Sequence, residues 1–401
     1  MMKLVWRNIW RNRRRAIITI SSVFFAVLFC ALMISFQTGV WEKMIDNTLR
    51  SQTGHIQVHA KGYWEDKTID NFMFVDDASM ARLEAVDNIT NVSPRVETFA
   101  MASHGLSSKG IAVIGISPGR EEQKSNLPIK LVGGEYLSET DDGLLIGQGL
   151  GKYLGVGIGD TLALIGQGYH GSSAVGLFPV RGILNLVTAE MDNGIAYMSL
   201  AAAQKFIDMP DGYSGLLIAV ADNKRLDATI AEVEAIVDTE ALNVYSWHFT
   251  MERLLQSAET DKAFNVVIMY IMYVIVGFGI LGTIIMMTNE RRREFCVMIS
   301  VGMQRWRLAL IVAAELLVMS LTGVVAALAL ALPIARWFNR HPIEMTGEMA
   351  EMYRQYGMEP LMPFSVNPGI FAEQVVIILV IAMLAIIYPV NKISKLKIVG
   401  K

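Results

Sequence analysis

Several stretches of the chain place reactive residue types at spacings that chemistry could use. Gly147-Gln148-Gly149-Leu150-Gly151-Lys152-Tyr153 follows a strand-like run and opens a helix-like one, the setting of a nucleotide-binding loop. Ile146 and Tyr153, however, occupy the places where a phosphate loop needs glycine and a hydroxyl residue, and a dinucleotide fingerprint would need its third glycine one residue after Gly151. The stretch therefore reads as tight turns and close packing, which glycine permits. His55 and His59 have the i, i+4 spacing of a zinc-binding helix, but Ile56 stands in the place of glutamate and the surrounding residues alternate as in a strand. In a strand the two imidazoles lie about 13 Å apart, at a rise of about 3.3 Å per residue, too far for one metal ion. His104, His170, His248 and His341 are isolated, and Cys30 and Cys296 form no spaced pair that would suit zinc, a disulfide or redox chemistry. With no nucleophile elbow and no spaced carboxylate cluster, a non-catalytic chain without its own metal or cofactor is expected.

Two other features are more informative. The segment from Asn289-Glu290-Arg291-Arg292-Arg293-Glu294-Phe295 to Val301-Gly302-Met303-Gln304-Arg305-Trp306 mixes charge with Phe295, Val297, Met298, Ile299 and Val301. That composition suits a short amphipathic helix lying along a membrane surface, ended by Gly302. Its apolar side would face the membrane helices and its charged side a cytoplasmic partner; the plainer reading is a basic loop that only sets topology. Glu315 falls inside an apolar stretch, about 10 Å along a helix from its cytoplasmic end. A carboxylate there is either a functional group or an interfacial residue paired with a nearby arginine or lysine.

The elements that must carry these residues are membrane spans. With 53% hydrophobic and only 18% charged residues in 401, the chain is too apolar for an ordinary soluble protein. About 20 apolar residues cross a hydrocarbon layer about 30 Å thick, and four segments qualify: Ala16–Phe36, the charge-free interval Ala263–Asn289, about Leu308–Ile334, and Gln374–Asn391, beginning as early as Ile370. The first has a basic start like a secretory signal, but it is too long and lacks a clear cleavage site, so it reads as an uncleaved anchor. Lys3, Arg7, Arg11, Arg13, Arg14 and Arg15, the loop arginines 291–293, 305 and 307, and Lys392, Lys395, Lys397 and Lys401 all fall on one side of an even number of spans. By the excess of basic residues in short flanks, that side is the cytoplasm. The net charge of −3 predicts no partner, and nothing points to nucleic acid.

This arrangement divides the chain into a cytoplasmic segment 1–15, transmembrane helix 16–39, extracytoplasmic domain 40–262, transmembrane helix 263–288, cytoplasmic coupling helix 289–307, transmembrane helix 308–334, extracytoplasmic loop 335–369, transmembrane helix 370–390 and cytoplasmic tail 391–401. Within 40–262, strand patterns occur at 55–59, 111–116, 143–146, 161–165, 178–184, 195–198 and 216–220, and helical ones at about 78–86, 200–207 and 226–237. The fold class expected is an α-helical membrane protein of four transmembrane helices with a large α+β extracytoplasmic domain inserted between helices 1 and 2. A helix from about Thr250 is expected to run straight into the second span.

Glu290, Arg291, Arg292, Arg293, Glu294, Phe295, Gly302, Met303 and Arg305 reproduce the segment after span two of the FtsX-like permeases of ABC transporters, with Cys296 and Ser300 where glycine and alanine are common. The opening Leu4-Val5-Trp6-Arg7-Asn8-Ile9-Trp10-Arg11-Asn12-Arg13-Arg14-Arg15 is similar to the start of that family. Gly134-Glu135-Tyr136-Leu137, Leu144–Gly147, Leu154–Leu162 and Val180–Leu184 resemble its periplasmic core, and Gly54–His59 resembles the lipoprotein-releasing LolC/LolE branch more than the MacB branch. The resemblance implies a bacterial inner-membrane permease, with both termini cytoplasmic, working with a separate cytoplasmic ABC ATPase that binds ATP and Mg. It implies two permease chains per complex, identical or paralogous, and a lipoprotein or other lipid-embedded cargo met in contact with membrane lipid. The nine residues just named become ATPase-coupling candidates, with Glu315 an intramembrane candidate.

Overall fold

The computed structural model describes residues 10, 13–125, 127–186, 188–355 and 361–395. Lys3, Arg7, Arg11, Lys397, Lys401 and most of the Leu4–Arg15 motif lie outside the described residues. The chain divides into two compact units, one of Met1–Lys43, Ser257–Glu344 and Leu361–Lys401 and one of Met44–Gln256 and Met345–Pro360.

The first unit is helical. Among the described residues four helices are long and apolar enough to cross a membrane, contained in Arg13–Thr48, Glu252–Glu290, Arg305–Arg340 and Pro368–Ser394. The first three have 36, 39 and 36 residues, longer than the apolar runs that located them. Trp41–Thr48 and Glu252–Lys262 are polar but contain no glycine or proline, so helix propagation continues through them beyond the residues a bilayer requires. The expected domain edges at 40 and 262 accordingly fall inside helices. Packing rests on small residues: Gly323, Ala327, Ala331 and Ala335 recur at four-residue steps along the third helix, and all are buried. A Cβ at Gly323 would stand 2.8 Å from Ile20 O and 3.0 Å from Val23 Cβ, so only glycine lets the first and third helices approach this closely. Polar side chains add fixed ties, Tyr273 Oη donating to Gln374 Oε1 at 2.7 Å and Ser35 Oγ to Ser365 O at 2.6 Å.

The second unit is built on a ten-stranded sheet: β1 (Ile56–Ala60), β2 (Ile89–His104), β3 (Ser107–Ile116), β4 (Leu131–Gly134), β5 (Leu144–Gly147), β6 (Thr161–Gln167), β7 (Ser173–Leu184), β8 (Ile195–Ser199), β9 (Gly215–Val220) and β10 (Leu242–Ser246). The order is β10-β1-β9-β2-β3-β8-β5-β7-β4, with β6 pairing β2 and β7. The sixteen-residue β2 organises it. Its first half runs antiparallel to β9, from Ile89 to Arg95, while its second half pairs with β3 and, from Ala100 to Ser103, with β6. Helices Asp77–Glu84 and Leu226–Ile236 lie over the β1/β9 end, burying Leu83 and Val233 with Ile56, Val58 and Ile218. Helices Gln148–Leu154 and Leu200–Phe206 cover the other end, where Leu150, Leu154 and Ala203 join Val96, Val113 and Met198. The short helices Pro118–Ser125 and Ala189–Gly194, and strands β2, β4 and β10, are additions to the elements expected from periodicity.

Candidate functional site

The segment singled out between the second and third spans forms a separate nine-residue helix, Arg292–Ser300. The second span ends at Glu290, and Arg291 forms the corner at φ −88°, ψ 4°. The new helix leaves through Val301 and then Gly302 at φ +101°, a conformation that glycine adopts without strain, before Arg305 starts the third span. One side faces inward: Phe295 is buried, and Cys296, Met298, Ile299 and Met303 pack against the core of the helical unit. The other side leaves Arg292, Arg293 and Glu294 exposed. Arg293, Val297 and Val301 follow at four-residue steps, and the two valines are 62% and 84% exposed, an apolar strip bordered by charge.

The nine coupling candidates therefore separate by geometry. Glu290, Arg292, Arg293, Glu294, Gly302 and Arg305 are exposed, and Met303 is half-buried. Arg291 and Phe295 are buried and lie on the inward side of the helix. Arg291 Nη1 donates to Glu315 Oε2 at 2.5 Å, so the intramembrane acid does have a local arginine partner. Nearby, Lys392 Nζ donates to Asn289 Oδ1 and Arg305 Nη1 to Ser394 O, joining the ends of the second, third and fourth spans.

In the extracytoplasmic unit the glycine-rich loop holds no open anion site. Gln148 N and Gly149 N donate to Asp192 Oδ1 and Oδ2 at 3.0 and 2.7 Å, and Leu186 N reaches Oδ1 at 3.2 Å. A carboxylate of the chain itself thus occupies the helix start that would otherwise attract a phosphate. Asp192→Ala should cost about 1–3 kcal/mol by stranding these donors, read as a lower melting temperature, with Asp192→Asn intermediate. His59 is buried in β1, bonded to Ser214 O at 2.7 Å through Nδ1 with Nε2 2.9 Å from Gln57 Oε1, and burial lowers its pKa. His55 Nδ1 accepts from Val220 N instead. Among the described residues no three His, Cys, Asp or Glu side chains gather as metal ligands.

Two features of this unit had no counterpart in the sequence reading. One is a cleft of about 1270 Å³ whose walls include Gln52, Trp64, Lys67, Phe99, Met191 and Phe249. The other is a buried ionic cluster in which Arg95 Nη2 contacts Glu121 Oε1 at 2.8 Å, while Lys124 Nζ lies 3.9 Å from the same oxygen, beyond hydrogen-bonding distance. Arg95 Nη1 also donates to Gln52 O at 3.0 Å, tying β2 to the π-helical turn Leu49–Thr53 that continues the first span helix. Burial, reinforced by the Arg95 charge, pushes the Lys124 amine down to about 7 against the pull of Glu121 and Glu97.

The family model described as MacB-like periplasmic core domain matches residues 16–236, and the one described as FtsX-like permease C-terminal matches residues 266–398. The chain is 21% identical over 276 residues to the lipoprotein-releasing system transmembrane protein LolE of Haemophilus influenzae, an alignment covering 65% of this chain and 63% of that relative's length. Among solved structures, the periplasmic region of MacB from Actinobacillus actinomycetemcomitans aligns at a TM-score of 0.38 and 12% identity, covering 53% of this chain and 98% of that one. The extracellular domain of the noncanonic ABC-type transporter YknZ from Gram-positive bacteria aligns at 0.37 and 13%, covering 48% and 100%.

Proposed function

Because the chain belongs to the FtsX-like ABC transporter permeases with a MacB-like periplasmic core domain, we propose that it converts ATP hydrolysis by a separate cytoplasmic ATPase into movement of its periplasmic domain. It is a multi-pass inner-membrane protein, and its four candidate spans expose few polar groups that could line an aqueous path. The observation that carries the coupling role is the strip Arg293–Val297–Val301 beside Arg292 and Glu294. Valines this exposed in a charged cytoplasmic segment suit a covered protein interface better than bulk water. ATP and Mg belong to the ATPase in this scheme, and a second permease chain, identical or paralogous, completes the complex.

The cargo proposed is a lipid-anchored protein released from the inner membrane toward the outer one. Support comes from the similarity to a protein named for lipoprotein release and from the Gly54–His59 segment. Depleting the protein and following lipoproteins by membrane fractionation tests this. Unchanged outer-membrane delivery, with altered drug or peptide sensitivity or altered cell-wall hydrolysis, would replace the cargo assignment with small-molecule export or with signalling. The coupling role has its own test in Arg292→Glu and Glu294→Lys. Both variants should insert normally, since the segment stays cytoplasmic, yet lose ATPase co-purification or stimulated hydrolysis, consistent with about 2–5 kcal/mol for truncating a buried charged contact between subunits. A purely topogenic loop predicts full assembly and activity in both.

A further inference from the structure

We infer that Arg291 and Glu315 are positioning residues that hold the helix Arg292–Ser300 in register on the third span, an inference that rests on the coupling role proposed for that helix only for its functional consequence. Arg291 occupies the corner between two helices. Its N–H donates to Met287 O at 3.2 Å, and its carbonyl accepts from Phe295 N at 3.0 Å, so its backbone belongs to both. The side chain turns inward, with the guanidinium 5.5 Å from the Phe295 ring centroid, Nε 3.4 Å from Glu294 Oε2 and Nη1 on Glu315 Oε2. Glu315 is 2% exposed and Arg291 4%, so the attraction acts where water screens it little.

The neighbouring polar ties differ in kind. Lys392–Asn289 and Arg305–Ser394 begin from exposed or partly exposed side chains, whereas Arg291–Glu315 is the buried ion pair of this unit among the described residues. It also crosses from the corner of the coupling helix to the eleventh residue of the helix Arg305–Arg340 that forms span three. Only one oxygen of Glu315 is engaged; Oε1 has no hydrogen-bond partner. A single-point contact permits the guanidinium to rotate about the pair while the charges remain together, unlike a two-point fork that fixes the angle. Displacement of the coupling helix would therefore be conveyed to the third span through this pair and through Phe295, with a limited swivel at the corner.

Cys296, half-buried on the coupling helix, reports its seating without any engineered label, and the fully buried Cys30 provides an internal reference. The full-length protein in nanodiscs would be treated with a maleimide in four forms: wild type, R291Q, E315Q and R291Q/E315Q. Each single variant leaves a charge buried without its partner, so Cys296 should react about threefold to tenfold faster, with Cys30 unchanged, and the double variant should recover part of the protection. With the ATPase present, the double variant should retain binding but lose stimulated hydrolysis, a split that general misfolding would not give. Should the single variants fail to insert, the double variant and R291K decide by the same labelling. Equal Cys296 reactivity in wild type and the double variant overturns the inference. If reactivity changes as expected but no ATPase associates even with the wild type, the coupling role fails and the positioning pair stands.

Discussion

Glu121→Ala is expected to destabilise the extracytoplasmic unit by about 3–5 kcal/mol, because it removes the buried carboxylate that bonds the buried Arg95 at 2.8 Å. Glu121 is 1% exposed, Arg95 2% and Lys124 7%. Burial alone would raise the Glu121 pKa, but Arg95 and then Lys124 bring it below the ordinary value, so the carboxylate stays ionised. Without the carboxylate, Arg95 stays ionised and must be solvated by Gln52 O and by Glu97, whose nearest oxygen is 3.8 Å away. The loss should also loosen the π-helical turn Leu49–Thr53, since the same guanidinium holds it. Calorimetry of the intact protein in detergent would show the extracytoplasmic transition falling by about 6–20 °C. The triple replacement Arg95→Met, Glu121→Leu, Lys124→Met should recover most of the stability, as apolar substitutes for buried ionic clusters commonly do. An unchanged transition in Glu121→Ala would mean that the cluster is solvated or does not persist.

How much of this was legible in the sequence depended on whether each feature had a period. The spans were legible because hydrocarbon imposes a minimum apolar length, while their ends were not, since Trp41–Thr48 and Glu252–Lys262 are polar and still helical. The seven short strands were found by alternation. β2 was missed because its first half, Val92 to Val96, is buried on both faces, and Pro94 interrupts the strand signal. In its second half the outward residues Phe99 and Met101 are apolar and the inward Ala100 and Ala102 are small, which inverts the usual contrast. At the coupling segment three consecutive arginines look alike, yet the clue to Arg291 was present: it stands four residues before Phe295 and so shares its inward face. Arg95, Glu121 and Lys124 had no such signal. Glu121 and Lys124 stand three residues apart on the helix Pro118–Ser125, but Arg95 reaches them from strand β2, and no spacing in the chain announces that contact between separate elements.

The same cluster sets the pH dependence of stability. Lys124 has an ordinary pKa of 10.5 and a folded one of about 7, first because it is buried and next because Arg95 is close. Between those values the unfolded chain binds a proton that the folded chain does not, so stability rises with pH by up to about 1.4 kcal/mol per unit. Below about pH 7 both states hold the proton and the slope from this group ends. The tyrosines act in the opposite sense. Burial raises Tyr63, Tyr136 and Tyr197 above 10.0 in the folded domain, so above about pH 10 the unfolded chain loses phenolic protons that the folded one keeps, and stability falls. The other charges that act on Lys124 are Arg95, Glu121 and Glu97; Arg95 is held above its ordinary value and Glu121 below its own, so neither of these two exchanges its proton in this window. The wild-type extracytoplasmic transition should therefore climb by about 3–5 °C per unit from pH 7 to 9 and peak near pH 10. Lys124→Met should be the more stable protein at pH 6.5 and should lose most of that climb, while keeping the decline above pH 10 that the tyrosines produce. Melting curves of both proteins in detergent at half-unit intervals from pH 6 to 10.5 provide the comparison. Parallel profiles for wild type and Lys124→Met would show that the amine stays protonated in the folded domain throughout, and that its burial is relieved by a partner other than Glu121.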